Sequence, residues 1–407
     1  MSGGRVTQAV ILAGGRGTRM QPLTDTMPKP MIPFHGKPFM GHVVDMLREQ
    51  GIERVLLLLG YKAEVIQEHF GDGSSYGVEV DYNVTGADDL TASRVRLVDD
   101  RLDETFLLLY CDNYWPLQMD RHMAAYEAGG RACLVTVYTN KDGYTRNSVK
   151  VEGDRLAVFD KSRRTPDLQG VEISYALLHR DTVLDLLPQR DELPERDELF
   201  EVAVYPELAR RGDLTALVTD HRYYSVGSLE RLPLTERFFA RTPTVILDRD
   251  GVLNRKPPRA QYVTSPAEWE WLPGAPEALA LLRRSGHRVA LVSNQAGIAR
   301  GAMTEADLQA VHAAMRADVE RAGGQIDAIY FCPHGWDDGC ECRKPRPGML
   351  FQAQRDLDLD LSRTLFIGDD DRDGEAAAAA GCRFAQVTGT TSLLDLVEPL
   401  VGEPSAA

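Results

Sequence analysis

Cysteine is scarce in this sequence: there are six in 407 residues, and three of them fall within eleven positions of one another. That distribution excludes a disulfide-stapled secreted scaffold. No apolar run reaches the roughly 18 residues of a membrane span. The opening stretch MSGGRVTQAV lacks the apolar core of a secretory leader. Basic charge is also short. Against 61 Asp and Glu stand 46 Lys and Arg, a formal net charge of −15, which argues against a general nucleic-acid binder. It leaves room for phosphorylated small molecules, because a local basic pocket can sit inside an acidic surface. Neither a Gly/Ser-rich tether nor an internal repeat is present. These absences lead us to expect a cytoplasmic protein with small-molecule partners, no nucleic acid and no membrane. They do not bear on its oligomeric state.

A chain of 407 residues is too long for one ordinary core, so two domains are expected. QAVILA (8–13), RVLLLLG (54–60) and FLLLY (106–110) read as buried strands, with helical periodicity over 38–50 and 63–70. This alternation implies a parallel sheet with crossover helices. It fades after Ser228 and restarts with TVILDRDG (244–251), a helix over 273–286, the strand HRVALVSNQ (287–295), a helix over 304–322 and TLFIGDD (364–370). The expected division is a first domain over 1–232, a short, partly ordered connector over 233–243, and a second domain over 244–407.

In the second series, Asp248 and Asp250 of DRDG follow directly from a strand, where open α/β sheets bind ligands. Two carboxylates two residues apart can divide labour. One attacks phosphorus, and the other protonates the leaving oxygen and then activates water. Such a site needs a divalent cation and a further carboxylate to hold it, and GDDDRD offers Asp369 and Asp373. It also needs positive and hydrogen-bonding groups for the phosphoryl, and Ser293, Asn294 and Lys344 are the candidates.

The cysteine cluster lies in FCPHGWDDGCECRKPRPGM (331–349). Cys332, His334, Cys340 and Cys342 supply four N/S donors, the set of a closed tetrahedral zinc site with no open position for water. A disulfide or redox role is the competing reading, and a cytosolic setting counts against it. Cys111, Cys133 and Cys382 lie in or beside apolar runs and read as core residues.

Over residues 243–395 this pattern resembles the haloacid dehalogenase superfamily. LDRDGVLN, YVTSPAEWEWLPGAPEAL, VSNQAGIARG and CRKPRPGM bring it close to the heptose-1,7-bisphosphate phosphatases that remove the 7-phosphate. The resemblance implies Asp248 as nucleophile, Asp250 as acid/base, and Mg²⁺ on both together with Asp369. It further implies a phosphate pocket formed by Ser293, Asn294, Gln295 and Ala296, substrate binding by Arg343 and Lys344, and a structural Zn²⁺ bracing their loop. Asp370 stands where that family often has a basic residue. Histidinol-phosphate phosphatases share the Asp-x-Asp site and the cysteine cluster. The PGM after CRKP and the ARG after NQAGI favour heptose.

In the first series, LAGGRGTRM (12–20) follows a strand, and its glycines let backbone N–H groups approach phosphate. With QPLTDTMPKPMIPFHGKP it resembles sugar-1-phosphate nucleotidyltransferases, loosely over 7–230. The resemblance implies nucleotide binding by Leu12, Ala13, Gly14, Gly15, Gly17 and Thr18, and charge stabilisation by Arg19 and Lys29. Asp112 would hold Mg²⁺, and Lys161 of AVFDKS would hold the sugar phosphate. There are two departures: Asp88 stands in VTGADDL where glycine is usual, and Ser225 replaces a second metal-holding aspartate. The expected fold is α/β in two domains, a Rossmann-like nucleotidyltransferase fold followed by a haloacid dehalogenase-type Rossmannoid phosphatase fold. The expected function is Mg-dependent removal of the 7-phosphate of heptose 1,7-bisphosphate, followed by nucleotidyl transfer onto the heptose 1-phosphate. The alternative is a phosphatase whose first domain only binds or regulates. Trp269 and Trp271 read as packing, His42 and His69 as ordinary helix residues, and DELPERDELFE (191–201) as a solvated segment and helix start.

Overall fold

The computed structural model describes residues 5–193 and 195–402. They form two compact units that divide between Phe239 and Ala240. The expected connector is mostly helix. Leu232–Phe239 turns an apolar face inward, and Phe238 and Phe239 are buried against Tyr114, Tyr224, Phe34 and Phe39 of the first unit.

In the first unit the wholly buried strand Gln8–Ala13 lies between Arg54–Leu59 and Thr105–Tyr110, and Glu79–Val84 extends the parallel set. Burying each of these Val, Ile and Leu side chains contributes about 1.5–3 kcal/mol. The sheet is not parallel throughout. Ala176–His179 runs antiparallel to both Thr105–Tyr110 and Cys133–Tyr138, and the hairpin Val149–Glu152 with Arg155–Phe159 closes one edge. The order of the parallel strands still places the loop after Ala13 beside the residues after Tyr110, since Leu12 pairs with Tyr110.

The second unit has five parallel strands in the order Ala328–Cys332, Arg288–Asn294, Thr244–Leu247, Leu365–Gly368, Arg383–Gln386. Thr244–Leu247 is central, and the chain leaves it toward one side first and the other later. The carboxyl end of that strand is therefore a topological switch point, with Asp248 on it. The helix Ala275–Arg284 starts with Pro276 and Glu277 in its first turn and ends on Arg283 and Arg284, matching the helix dipole. Asp370 and Asp373 form a capping box at the start of Asp371–Ala380. No helix among the described residues is long and apolar enough to cross a membrane.

The bland readings fall as follows. Trp269 and Trp271 pack edge to face at 5.1 Å, and the Trp271 indole N–H donates to Asp318. His42 is buried and stacked on Phe239, and His69 meets the Tyr76 hydroxyl. Glu201 departs from its expected solvated segment. It is 5% exposed, and Lys161, from the turn after Arg155–Phe159, and the Tyr110 hydroxyl, from Thr105–Tyr110, both reach it.

Candidate active sites

In the second unit, the ends of three neighbouring strands present Asp248, Ser293–Asn294 and Asp369 to one cleft of about 760 Å³. Six basic side chains, Lys256, Arg259, Arg343, Lys344, Arg346 and Arg372, line it against five carboxylates. A locally basic cleft thus exists inside an acidic chain.

Lys344 organises its floor. Its Nζ lies 2.8 Å from Asp248 Oδ1 and 2.6 Å from Asp373 Oδ1, donates to the Val292 carbonyl, and is 3% exposed. Asn294 fixes the lysine's backbone with a reciprocal pair, its Oδ1 accepting from Lys344 N–H and its Nδ2 donating to Lys344 C=O. Asp248 Oδ1 also accepts from the Arg249 backbone N–H at 2.7 Å. Burial pushes the Asp248 carboxyl up to about 7, against the pull of Lys344.

Asp250 sits in a different environment. Burial would raise its carboxyl as well. Arg249, with both Asp250 oxygens within 2.9 Å of Nη2, and donors from Asn254 and Gln295 hold it below the ordinary range. Arg249 is 1% exposed and also donates to Gln295 Oε1, and Gln295 Nε2 in turn donates to Ser293 Oγ. The two carboxylates of DRDG therefore have unlike surroundings, and the order of their acidities, Asp250 the stronger acid, is the reverse of what an ionised nucleophile at Asp248 and a protonated acid at Asp250 need.

The carboxylate group that fits a divalent cation is Asp248, Asp369 and Asp373, with ligand atoms within 4.8 Å of one another. Asp369 Oδ1 is buried with no hydrogen-bond partner, the state of an oxygen waiting for a cation. Asp250, expected with Asp248 and Asp369 at the ion, has its side-chain carboxylate on Arg249, Asn254 and Gln295 and is not among the three that converge. Gly251 permits the approach of Asp369. Its φ is +95°, and a Cβ there would stand 2.2 Å from the Asp369 carboxylate. The basic group absent at position 370 is supplied from elsewhere. Lys256 bridges Asp369 and Asp370 at 2.8 and 3.1 Å, and Arg372 holds Asp370 at 2.8 and 3.0 Å. Lys256 and Arg249 escaped the sequence reading. The only signal was position: Arg249 lies inside DRDG, and Lys256 follows that motif by five residues.

Cys332, His334, Cys340 and Cys342 converge with donor atoms within 4.8 Å of one another. The sulfurs of Cys340 lie 3.6 and 3.5 Å from those of Cys332 and Cys342. That is far beyond a disulfide bond of about 2.05 Å and close to the ~3.8 Å edge of a tetrahedron with 2.3 Å Zn–S bonds. The residues fit zinc. Arg343 follows directly and donates to the His334 carbonyl at 3.4 Å.

In the first unit, Lys29 Nζ lies 2.7 Å from Asp112 Oδ2. Burial opposes ionisation of Asp112, but Lys29, with Arg19 and Lys161 beyond it, holds the carboxyl below the ordinary range. The structure thus brings Arg19, Lys29 and Lys161 toward one carboxylate, Asp112. Leu12 and Ala13 end the buried strand, Gly15 and Gly17 continue it as a partly exposed loop, and Thr18 opens the helical turn Thr18–Met20. A Cβ at Gly14 would lie 2.2 Å from the guanidinium of Arg94, a buried arginine spent on backbone carbonyls and Thr85. Asp88 forms a bidentate pair with Arg16 of the glycine loop at 2.9 and 3.0 Å. Lys161 pairs with Glu201 at 2.7 Å. Near it, burial pushes the Glu172 carboxyl up to about 7, a residue the sequence reading passed over. Ser225 pairs with Asn113, next to Asp112, and is 1% exposed.

Comparison with known proteins separates the two units in the same way. The nucleotidyl transferase family matches residues 8–146, and the HAD-hydrolase-like family matches residues 341–404. The D-glycero-beta-D-manno-heptose-1,7-bisphosphate 7-phosphatase of Bordetella bronchiseptica is 48% identical over 138 residues, 34% of this chain and 76% of that protein. The protein of that name from Pseudomonas aeruginosa is 44% identical over 156 residues, 38% of this chain and 86% of that one. Among solved structures, a putative glucose-1-phosphate thymidylyltransferase from Bacillus anthracis is 19% identical with a TM-score of 0.50, covering 56% of this chain and 93% of that one. That likeness concerns the fold alone.

Proposed function

We propose, from the premise that this chain belongs to the D-glycero-beta-D-manno-heptose-1,7-bisphosphate 7-phosphatase family and carries a nucleotidyl transferase domain ahead of it, that the two units perform successive steps on one sugar. The second unit removes the 7-phosphate of heptose 1,7-bisphosphate. The first then joins the heptose 1-phosphate to a nucleoside triphosphate, releasing pyrophosphate and an NDP-heptose.

The observation that carries the phosphatase step is the asymmetric hold on the two oxygens of Asp248. Lys344 and a backbone N–H both hold Asp248 Oδ1, which leaves Oδ2 to attack phosphorus. As the phosphorus–oxygen bond to the sugar breaks, Asp250, positioned by Arg249 and Gln295, gives the leaving oxygen a proton that it must first take up from solvent against the pull of Arg249. Asp250 then takes a proton from water as that water attacks the aspartyl phosphate. Asp248, Asp369 and Asp373 would hold Mg²⁺, which when bound neutralises charge on the phosphoryl oxygens. Lys344, Lys256 and Arg372 bring protein charge to the same cleft. Cys332, His334, Cys340 and Cys342 would hold structural Zn²⁺, fixing the loop on which Arg343 and Lys344 sit.

For the transferase step, Lys29 and Arg19 stand where charge develops on the transferred phosphoryl, and Lys161 where the sugar phosphate binds. Ser225 favours a second reading, in which the first unit binds nucleotide without turning it over. The test of the phosphatase step is ³¹P NMR of heptose 1,7-bisphosphate with wild type and Asp248→Asn. Loss of the C7 resonance with wild type alone is expected; loss of the C1 resonance, or turnover by the variant, overturns the reading.

A further inference from the structure

Arg231 is a half-buried guanidinium that makes no ion pair with any described residue. It follows Ser225 by six positions, in the short helix Leu229–Arg231. Nη1 donates to Ser225 Oγ and to the Tyr223 hydroxyl, each at 3.1 Å, and Nη2 reaches the Tyr144 carbonyl at 3.4 Å. The guanidinium carbon stacks 4.4 Å from the Tyr144 ring centre and 5.7 Å from that of Tyr223. Two aromatic faces and a buried serine thus clamp it in one orientation.

Its location is set by the backbone. Ser225 pairs with Asn113, and Val226 N–H donates to Asp112 C=O at 3.0 Å. The clamp therefore stands beside Asp112, whose charge favours the ionised Arg231. Two other arginines withdrawn from water in this unit are provided for. Arg94 is saturated by carbonyls, and Arg222 is paired with Asp142 at 2.7 Å. A positive charge taken partly out of water without a counter-ion is costly, and it persists where an anion completes it. A carboxylate at position 225 would have neutralised this arginine. Serine leaves its charge available.

We propose that Arg231 is a phosphoryl-binding residue of the first unit's site, contributing fixed positive charge beside Asp112 where Ser225 cannot hold a cation. This rests on the nucleotidyl transferase reading of that unit. The ligand chemistry is a phosphoryl group, supplied either by the triphosphate or by the sugar 1-phosphate.

The experiment is calorimetric titration of the full chain with each of four nucleoside triphosphates in Mg²⁺, and separately with heptose 1-phosphate. Wild type, Arg231→Gln and Arg231→Lys are compared, and their thermal transitions are checked for an unchanged fold. Removing one charged hydrogen-bonding partner should weaken binding about 10- to 100-fold. Arg231→Lys should recover part of the loss, and the salt dependence of binding should flatten in Arg231→Gln. A loss confined to the triphosphate, or to the sugar phosphate, supports the proposal and names the source. If wild type binds and Arg231→Gln binds equally well, the proposal falls while the reading of the unit stands. It falls too if Arg231→Lys is no better than Arg231→Gln. If wild type binds neither ligand, the reading itself fails and the proposal with it.

Discussion

One ammonium group, Lys344 Nζ, stands between Asp248 and Asp373 with almost no access to water. Replacing it with methionine leaves two buried carboxylates without a counter-charge. In Mg²⁺-free buffer, Lys344→Met should cost about 3–5 kcal/mol of stability, read from the urea transition of the second unit. Phosphate release should be lost even when Mg²⁺ is restored. Asp250 carries a different prediction, because both its oxygens accept from donors, Oδ1 from Arg249 and Asn254 and Oδ2 from Arg249 and Gln295. Asp250→Asn turns its amide NH₂ toward a donor and leaves buried Arg249 without a counter-charge. It should therefore cost about 3–5 kcal/mol in the urea transition and lose about 10²- to 10⁴-fold in kcat for phosphate release, the usual value of a positioned acid–base group. An unchanged rate would remove Asp250 from the chemistry.

Among the elements, the strand ends were the most legible. TVIL, LVSN and LFIG run straight into Asp or polar residues, so both the strands and the reacting groups at their carboxyl ends stand out. The helices over 39–49, 63–70, 275–284 and 305–321 follow the apolar spacing closely. Features set by distant partners did not show. Ala176–His179 runs antiparallel because Thr105–Tyr110 and Cys133–Tyr138 flank it. Glu201 is buried and meets Lys161, which lies 40 positions away in sequence. Arg231 and Lys256 likewise acquire their settings only through the fold. The element most open to test is the loop from Cys332 to Lys344, whose four donors converge within it. Stripping metal with a strong chelator, or making Cys340→Ser, should release stoichiometric zinc and lower the melting temperature. It should also depress phosphate release, because Lys344 is displaced from Asp248. Zinc content, calorimetry and the phosphate assay read the three effects. Loss of zinc with unchanged phosphatase activity would detach the loop from the catalytic floor.

For the whole molecule, each candidate site is built entirely within one unit. Arg19, Lys29, Asp112 and Lys161 precede Phe239, and the DRDG carboxylates, Lys344 and the cysteine cluster follow Ala240. The two activities should then be separable and complementary in trans. A mixture of Asp248→Asn and Lys29→Ala proteins should convert heptose 1,7-bisphosphate and triphosphate to sugar nucleotide, although neither protein does so alone. The product is detected by ion-exchange chromatography. The order of the steps is tested most directly by following free phosphate and pyrophosphate together, from heptose 1,7-bisphosphate, Mg²⁺ and each of the four triphosphates. With wild type, phosphate should appear first and pyrophosphate after a lag. With Asp248→Asn, both should vanish, and pyrophosphate should return when heptose 1-phosphate is supplied instead. Pyrophosphate from the bisphosphate in Asp248→Asn, or phosphate without pyrophosphate from wild type under every triphosphate, would contradict the account.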